Sequence, residues 1–397
     1  MPAEEKQYIG IFNDSFPPIM DGVTQTVLNY VDWLRGNGYQ PCVVTPSNPV
    51  KTEVPYKVIR YFSLPIRSRY PYRYGYPKLD PFIWGKMRNT PFRLIHSHSP
   101  FAAGRLGVYA KKKQGMPLIG TFHSKYKSDL KHSFKLMPWC VPIIMKRILN
   151  FYSACDEVWI PQASVEETVR EYGFKGRVEV VENGIDYGDL PIGDLDSFKM
   201  EARRKCGIAD DELNLLFVGQ HIWEKGIGII VEALSLLPAD FKFKMTFIGE
   251  GYAKKELQQL IAEKRLDDKV STLSVITDRE ELGRHYAAAD LFLFPSRYDN
   301  APLVVREAAS MGTPSIIPEG STASEVIVDG RNGFLTEDTP EAYARSIVNI
   351  AADPEALSRA KRGARTSLVR GWNDVMEEVE DRYKKLIARL DRDRRHF

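Results

Sequence analysis

The sequence predicts an α/β protein with two doubly wound domains, each built on a parallel sheet that helices cover on both faces. A chain of 397 residues is too long for one ordinary core, which favours two domains of about 150–200 residues. Short apolar strands alternate with amphipathic helical stretches almost from end to end, and this pattern is typical of buried parallel sheets.

The domain boundaries follow from where this pattern breaks. Residues 182–199 are rich in Gly, Pro and Asp and lack periodicity, as expected of a linker. We therefore expect domains at residues 1–190 and 191–371, facing each other across a central crevice. A C-terminal helix, residues 372–397, is expected to return to the first domain. In such folds ligands bind at the carboxyl ends of the strands.

The elements of the first half begin with a strand at residues 8–13. The helix that follows places Val27, Tyr30, Val31 and Leu34 on one apolar face. Later strand patterns read PCVVTPS, RLIHSHSP, PLIGTFHS, EVWIPQ and VEVVENG.

The second half repeats the series with LNLLFVGQ, FKMTFIGEG, LFLFPS and TPSIIPEG. The chain closes with one long amphipathic helix, whose apolar stripe consists of Val375, Val379, Tyr383 and Leu386.

Composition indicates a soluble globular protein, with 43% hydrophobic and 27% charged residues. The longest apolar run, residues 136–145, contains two prolines and is too short to span a bilayer. The first residues are acidic and lead directly into a strand, so no signal peptide is expected. Four well-separated cysteines without a CxxC pair predict reduced thiols in a cytoplasmic protein.

Charge is divided unevenly along the chain. Residues 1–190 contain 25 Lys and Arg against 17 Asp and Glu, a net charge of +8, whereas the remainder carries −5. Residues 60–93 and 125–147 combine basic with aromatic and apolar side chains, which favours an anionic membrane surface as partner. A solvated basic face over a buried helix is the alternative. Nucleic acid is not expected, because no recognition motif accompanies the charge.

The stretch RYDNAPLVVREAASMG follows an apolar strand and carries two acids eight residues apart, Asp299 and Glu307. Asp299 or Asn300 is expected to cap the helix, and Pro302 suits its first turn. The helix start offers free amides and a positive dipole end to a phosphate. Glu307 and Asp299 would then accept hydrogen bonds from sugar hydroxyls on either side of a diphosphate. The alternative is a capping Asp and a surface Glu.

Two further strand-to-helix loops suggest diphosphate binding. FVGQHIWEKG supplies Lys225 as a cation for a diphosphate leaving group, unless Glu224 holds it in a solvated pair. FIGEGYAKK has Gly249 and Gly251 but Lys254 where a dinucleotide-binding loop has its third glycine. It therefore fails as a dinucleotide fingerprint, and remains a tight turn suited to lining a nucleotide pocket.

In the first half, Gly22 lies between the first strand and the first helix, where a backbone must approach something closely. His123 ends a strand on the side expected to face the crevice, which makes it a functional candidate. His96 and His98 share a strand face, and hydrogen-bonded histidines are favoured there over metal ligands. Asp194 and Asp196 form a DxD pattern, but it lies in the linker and follows no strand, so no metal site is expected.

With these motifs the chain resembles the retaining glycosyltransferases of family 4, which have the GT-B fold of two Rossmann-like domains. The match covers nearly the whole chain and rests on the Gly22 loop, TFH, ENGID, VGQHIWEKG, IGEG and the acid-x7-Glu motif. It is most similar to the branch that glucosylates diacylglycerol and related membrane acceptors, through GIFNDSFPPIMDGVTQTV and TFHSKY.

The resemblance implies a role for each matched residue. Glu307 would bind the nucleotide ribose, Asp299 the donor sugar, and Lys225 the diphosphate, with His123 at the reacting sugar. The remaining donor contacts are expected at Gly22, Gln220, Gly249, Gly251, Ala301, Leu303 and Val304.

Three positions depart from the family pattern. Asp299 replaces the usual Glu, Gln220 stands where Arg is common, and Pro302 where Gly is common. Because Pro302 has no amide hydrogen, Ala301, Leu303 and Val304 must supply those contacts. These changes are expected to alter rate or donor choice rather than abolish activity.

The implied function is transfer of a hexose from a UDP- or GDP-sugar to a membrane lipid such as diacylglycerol, with retention. The departing diphosphate oxygen would take the acceptor proton, with no metal or cofactor. The protein would act as a peripheral protein on the inner face of the cell membrane, contacting it through Lys127, Lys131, Lys135, Trp139 and Ile143.

Four alternatives remain: a polysaccharide or lipopolysaccharide transferase, a nucleotide-sugar epimerase, an NAD oxidoreductase, and a non-catalytic nucleotide-sugar-binding protein. The epimerase needs a second acid–base pair, which the sequence does not reveal. The missing third glycine disfavours the oxidoreductase.

Overall fold

The computed structural model describes residues 7–66, 71–127, 130, 138–185, 194–297 and 299–395, with side chains up to residue 392. The chain forms two compact units. One runs to Gly184 and includes the segment from Trp372 onward, and the other is Ile185–Gly371. The expected boundary at residue 190 lies outside the described residues.

The first unit is built on a seven-stranded parallel sheet. Its strands are β1 (Tyr8–Phe12), β2 (Pro41–Pro46), β3 (Lys57–Tyr61), β6 (Phe92–Ser97), β7 (Leu118–Thr121), β8 (Glu157–Ile160) and β9 (Val178–Val180). They lie in the order β3-β2-β1-β6-β7-β8-β9. Strands β4 (Ser63–Pro65) and β5 (Arg73–Gly75) form a separate two-stranded antiparallel sheet. The helices are α1 (Gly22–Gly36), α2 (Ile83–Asn89), α3 (Ala102–Gln114), α4 (Cys140–Ala154) and α5 (Val165–Glu171).

The second unit has a six-stranded parallel sheet. Its strands are β10 (Leu213–Val218), β11 (Phe243–Ile248), β12 (Val270–Leu273), β13 (Leu291–Leu293), β14 (Ser315–Pro318) and β15 (Phe334–Thr336), in the order β12-β11-β10-β13-β14-β15. Its helices are α6 (Leu195–Lys205), α7 (Ile227–Ser235), α8 (Lys254–Glu263), α9 (Arg279–Ala288), α10 (Leu303–Ser310), α11 (Pro340–Ala351) and α12 (Pro354–Ser367).

Both sheets reverse their strand order once, which confirms the predicted doubly wound α/β class. The reversal lies between β1 and β6 in the first unit and between β10 and β13 in the second. Central strands such as β2 are buried along their whole length, because helices cover both faces. Ligands of open parallel sheets bind beyond the carboxyl ends of the strands at the reversal. The loops after these four strands are therefore where a site is expected.

The last helix, α13 (Trp372–Arg395), completes the core of the first unit. The predicted stripe is buried there, and the Tyr383 ring stacks on Trp159 with centroids 5.9 Å apart. The helix therefore returns to the first unit, as the sequence predicts.

The described residues contain four free thiols, with Cys42 buried and the other three half-buried. Within the same ranges, every helix is too short or too polar to cross a bilayer.

The packing of α13 predicts a difference between two neighbouring substitutions. Leu386 is 1% exposed, so Leu386→Ala should lower the free energy of unfolding by about 2–5 kcal/mol, the usual cost of such a cavity. Lys385→Ala, on the exposed side, should cost less than about 0.5 kcal/mol. Urea unfolding followed by tryptophan fluorescence measures both free-energy changes. Equal losses would contradict this packing.

Candidate active site

The loops after β10 and β13 bring two predicted residues into direct contact. Lys225 ends a short 3-10 turn, and its Nζ donates a hydrogen bond to Asp299 Oδ1. Ser296 Oγ donates to the other carboxylate oxygen at 2.7 Å. Both charged side chains are mostly buried. Glu224, the alternative partner considered for Lys225, accepts a hydrogen bond from the Tyr252 hydroxyl.

Gly226 explains how the Lys225 turn comes so close to β13. Its φ is +72°, a left-handed conformation that glycine adopts readily. A Cβ at this position would lie 2.8 Å from the carbonyl oxygen of Pro295, just beyond β13. Only glycine therefore allows the turn to pack against the end of that strand.

The start of α10 differs from the predicted capping. Pro302 occupies the N-cap position, and no described side chain caps the helix. The expectation that Asp299 or Asn300 would cap it is wrong, because the Asp299 carboxylate is bonded to Lys225 and Ser296. The first two helical residues, Leu303 and Val304, follow this uncapped start and, like Ala301, are half-buried.

Glu307 is 7% exposed, so the alternative of a surface glutamate is wrong. Its two carboxylate oxygens accept hydrogen bonds from Arg279 Nη1 at 3.1 Å and from the Tyr286 hydroxyl at 2.9 Å. Sequence reasoning missed both partners. They belong to α9, and no motif marks that helix.

Gly249 and Gly251 lie in the loop after β11, where it packs on the loop after β10. A Cβ on Gly249 would lie 1.9 Å from the Gly219 carbonyl oxygen, and one on Gly251 would lie 2.2 Å from that of His221. These glycines are thus required by loop packing, whatever they bind. Gln220, between Gly219 and His221, is exposed.

In the first unit, the loops after β6 and β7 place His98 and His123 in contact, with His98 Nδ1 and His123 Nε2 3.0 Å apart. His96 is bonded through Nδ1 to the Tyr383 hydroxyl at 2.7 Å and through Nε2 to Thr121 Oγ1 at 2.6 Å. The hydrogen-bonded reading of His96 is therefore confirmed. Burial lowers the pKa of all three imidazoles, that of His123 to about 4, so they are neutral at physiological pH.

Gly22 is the exposed first residue of α1, directly after the N-cap Asp21. The Asp21 side chain accepts a hydrogen bond from the Thr24 amide at 2.7 Å. The start of α1 is thus capped by its own chain, unlike that of α10.

Asp14, in the loop after β1, was not singled out from the sequence. Its buried carboxylate accepts hydrogen bonds from Ser99 Oγ, from the Tyr61 hydroxyl at 2.7 Å and from the Ala103 amide at 3.1 Å. Burial raises the pKa of this carboxyl despite these bonds. Asp14 thereby fastens the loop after β1 to β3 and to the start of α3.

The DxD pattern has a structural role. Asp194 is the N-cap of α6 and accepts a hydrogen bond from the Asp196 amide at 3.1 Å. Among the described residues, no three His, Cys, Asp or Glu side chains are grouped so that they could hold a metal ion.

The two Rossmann-like units, with these residues at the reversal of the second sheet, define a glycosyltransferase of GT-B fold. Residues 20–188 match the family model described as Glycosyltransferase Family 4, and residues 198–367 match the one described as Glycosyl transferases group 1. The chain belongs to the family 4 glycosyltransferases.

The names of individual relatives describe different glycosyltransferase activities. The chain is 27% identical to the alpha-monoglucosyldiacylglycerol synthase of Acholeplasma laidlawii, over 90% of this chain and 92% of that protein. It is 23% identical to the GDP-mannose-dependent alpha-mannosyltransferase of Corynebacterium glutamicum, over 96% and 89%. The fold is similar to that of the sucrose-phosphate synthase from Thermosynechococcus elongatus, with a TM-score of 0.77, 20% identity, and coverage of 96% and 99%.

Proposed function

We propose that this enzyme transfers a hexose from a nucleotide sugar, with retention, to a membrane lipid such as diacylglycerol. The observation that carries the proposal is the Lys225–Asp299 contact beside the uncapped start of α10, at the reversal of the second sheet. The similarity to a protein named alpha-monoglucosyldiacylglycerol synthase supports the lipid acceptor.

Donor binding is assigned to the loops after β10 and β13. Lys225 and the amides of Ala301, Leu303 and Val304 receive the diphosphate, because a helix start without a cap offers free N–H groups and a partial positive charge. Gln220, Gly249 and Gly251 line the neighbouring loops. Gly22, at the start of α1, is assigned to the phosphates as well.

The two acids bind the sugars. Glu307 accepts from the ribose hydroxyls, and its contacts with Arg279 and Tyr286 fix the carboxylate before the donor arrives. Two hydrogen bonds leave further lone pairs on its oxygens for a diol. Asp299 and His123 are assigned to the donor sugar.

Catalysis in this proposal is electrostatic. Negative charge develops on the diphosphate as its bond to the anomeric carbon breaks and the acceptor oxygen bonds to that carbon, and Lys225 with the α10 amides stabilises that charge. The departing diphosphate oxygen takes the acceptor proton on the same face of the sugar, so the configuration is retained. The enzyme also holds both reactants in position.

The two acids should respond differently to substitution. Glu307→Ala should weaken binding of UDP or GDP and their sugars by about 2–3 kcal/mol, because charge-assisted hydrogen bonds to ribose are lost. Asp299→Ala should lower kcat more than nucleotide diphosphate affinity, because Asp299 is assigned to the donor sugar, whereas Lys225, its ion-pair partner, keeps its positive charge for the diphosphate. Titration calorimetry with UDP and with GDP measures the affinities, and the rate of sugar transfer gives kcat. The exposed Glu256→Ala is the control and should change neither. Parent-like binding and turnover in both variants would contradict the donor site.

Transfer should need no divalent metal, because Lys225 and helix-start amides take the place of the cation. Radiolabelled sugar from a UDP- or GDP-hexose should appear on diacylglycerol in phosphatidylglycerol vesicles, and EDTA should leave the rate unchanged. Inactivation by EDTA with recovery on adding Mg²⁺ or Mn²⁺ would contradict metal independence. Transfer to a soluble glycan instead of the lipid would favour the polysaccharide alternative.

Membrane contact is assigned to the start of α4 and the residue before it. Trp139 is 66% and Ile143 48% exposed, and Lys146 and Arg147 are exposed one turn further on. This spacing places apolar and basic side chains on one side of the helix, the pattern of an interfacial helix. Of the basic residues implicated by the sequence, Lys127 is exposed, whereas Lys131 and Lys135 lie outside the described residues.

The protein should therefore sediment with phosphatidylglycerol vesicles and not with phosphatidylcholine vesicles. Each engaged Lys or Arg should contribute about 1 kcal/mol at low salt, decreasing as the Debye length shortens. Glu substitutions at Lys127, Lys146 and Arg147 should abolish sedimentation.

Charge reversal at two exposed basic residues of the second unit, Arg204→Glu with Lys255→Glu, is the control and should leave sedimentation intact. Equal binding to both vesicle types, or to neither, would refute the membrane assignment.

A further inference from the structure

The buried side chain of His98 makes a hydrogen bond to the half-buried His123, and the donor-site assignments give His98 no role. His98 is 2% exposed and follows the end of β6, and His123 follows the end of the adjacent β7. Nδ1 of His98 lies 3.0 Å from Nε2 of His123, and the rings are tilted by 21°. Among the described residues, His98 is the one hydrogen-bond partner of the His123 ring.

Packing fixes the orientation of the His98 ring. The Tyr30 ring meets it edge-on with centroids 5.0 Å apart, and the His96 ring stacks on it at 4.2 Å. His96 is in turn held at both nitrogens, by Tyr383 of α13 and by Thr121. His98 therefore cannot turn to exchange its two ring nitrogens without disturbing this cluster.

The remaining nitrogen of His98 decides where the hydrogen of the pair lies. Nε2 of His98 is buried and has no hydrogen-bond partner among the described residues. If His123 donated from Nε2, then His98 would carry its hydrogen on Nε2, leaving a buried N–H without an acceptor. Orphaned buried N–H groups are rare and costly. If instead His98 donates from Nδ1, its Nε2 carries only a lone pair, and no buried N–H lacks an acceptor.

We propose that His98 is a positioning residue that donates from Nδ1 to His123 Nε2 and thereby holds His123 as the tautomer with its hydrogen on Nδ1. His123 then presents an N–H donor at Nδ1. It binds a sugar oxygen as a hydrogen-bond donor and does not act as a general base. The consequence for catalysis rests on the proposed role of His123 at the reacting sugar, whereas the tautomer itself does not.

Nuclear magnetic resonance of the full chain tests the tautomer without an activity measurement. The protein has seven histidines, so labelling histidine with ¹⁵N gives few ring signals, and His123→Asn identifies those of His123 by their loss. Two-bond proton–nitrogen correlations distinguish the Nδ1–H from the Nε2–H form. We expect the Nδ1–H form of His123 in the parent. An Nε2–H form would overturn the proposal, and this measurement needs no His98 variant to fold.

Two substitutions of His98 then test its role. His98→Asp replaces the donor by a carboxylate, which only accepts hydrogen bonds, so His123 should take the Nε2–H form that donates to it. His98→Asn can present an amide N–H near the position of Nδ1, so the parent tautomer should persist. A His123 ring that keeps the neutral Nδ1–H form in His98→Asp would overturn the proposal.

Kinetics separate positioning from a loss of structure. In His98→Asp, kcat should fall roughly tenfold, as expected when about one net hydrogen bond to the sugar is lost, and His98→Asn should keep most of the parent kcat. The Kd for nucleotide diphosphate should not change, because Lys225 and Glu307 belong to the second unit. Equal loss in both variants would refute positioning. Absence of transferase activity in the parent would refute the proposed function and leave the tautomer result standing.

Discussion

The contact between the Lys225 ammonium and the Asp299 carboxylate is the interaction on which the proposed donor site depends. Both groups are mostly buried, and each would be costly to bury without the other. The pair also joins the two loops that flank the sheet reversal, since Lys225 follows β10 and Asp299 follows β13. The close approach at Gly226 makes this possible. The Lys225 ammonium is therefore already largely removed from water before an anionic ligand binds.

Much of the fold could be predicted because its signals are local. Apolar strands, the buried face of α1 and the stripe along α13 are all periodic patterns within one segment. The sequence predicts Lys225 and Asp299 as donor-binding residues, but it does not predict that they contact each other. Each residue was selected from its own loop, and parallel strands then bring the ends of those loops together.

The rest could not be predicted, because it depends on contacts between segments distant in sequence. Asp299 has the right spacing for a helix cap, yet Lys225, 74 residues away, takes its carboxylate. The local sequence leaves open whether Glu307 binds a sugar or lies on the surface, and its burial depends on contacts with Arg279 and Tyr286 of another helix. Likewise, Gly249 resembles part of a nucleotide-binding motif, although the Gly219 carbonyl already accounts for its lack of a side chain.

The position of α13 has a consequence for how the chain is made. The first unit is assembled from residues at both ends of the sequence, whereas the second is one continuous segment. Domains fold largely as they emerge during synthesis. The second unit can therefore finish folding on the ribosome while the first still exposes the apolar surface that Trp372, Val379 and Leu386 later cover. Until α13 has been made and has emerged, the half that is made first is incomplete, and it is there that a nascent chain would need a chaperone.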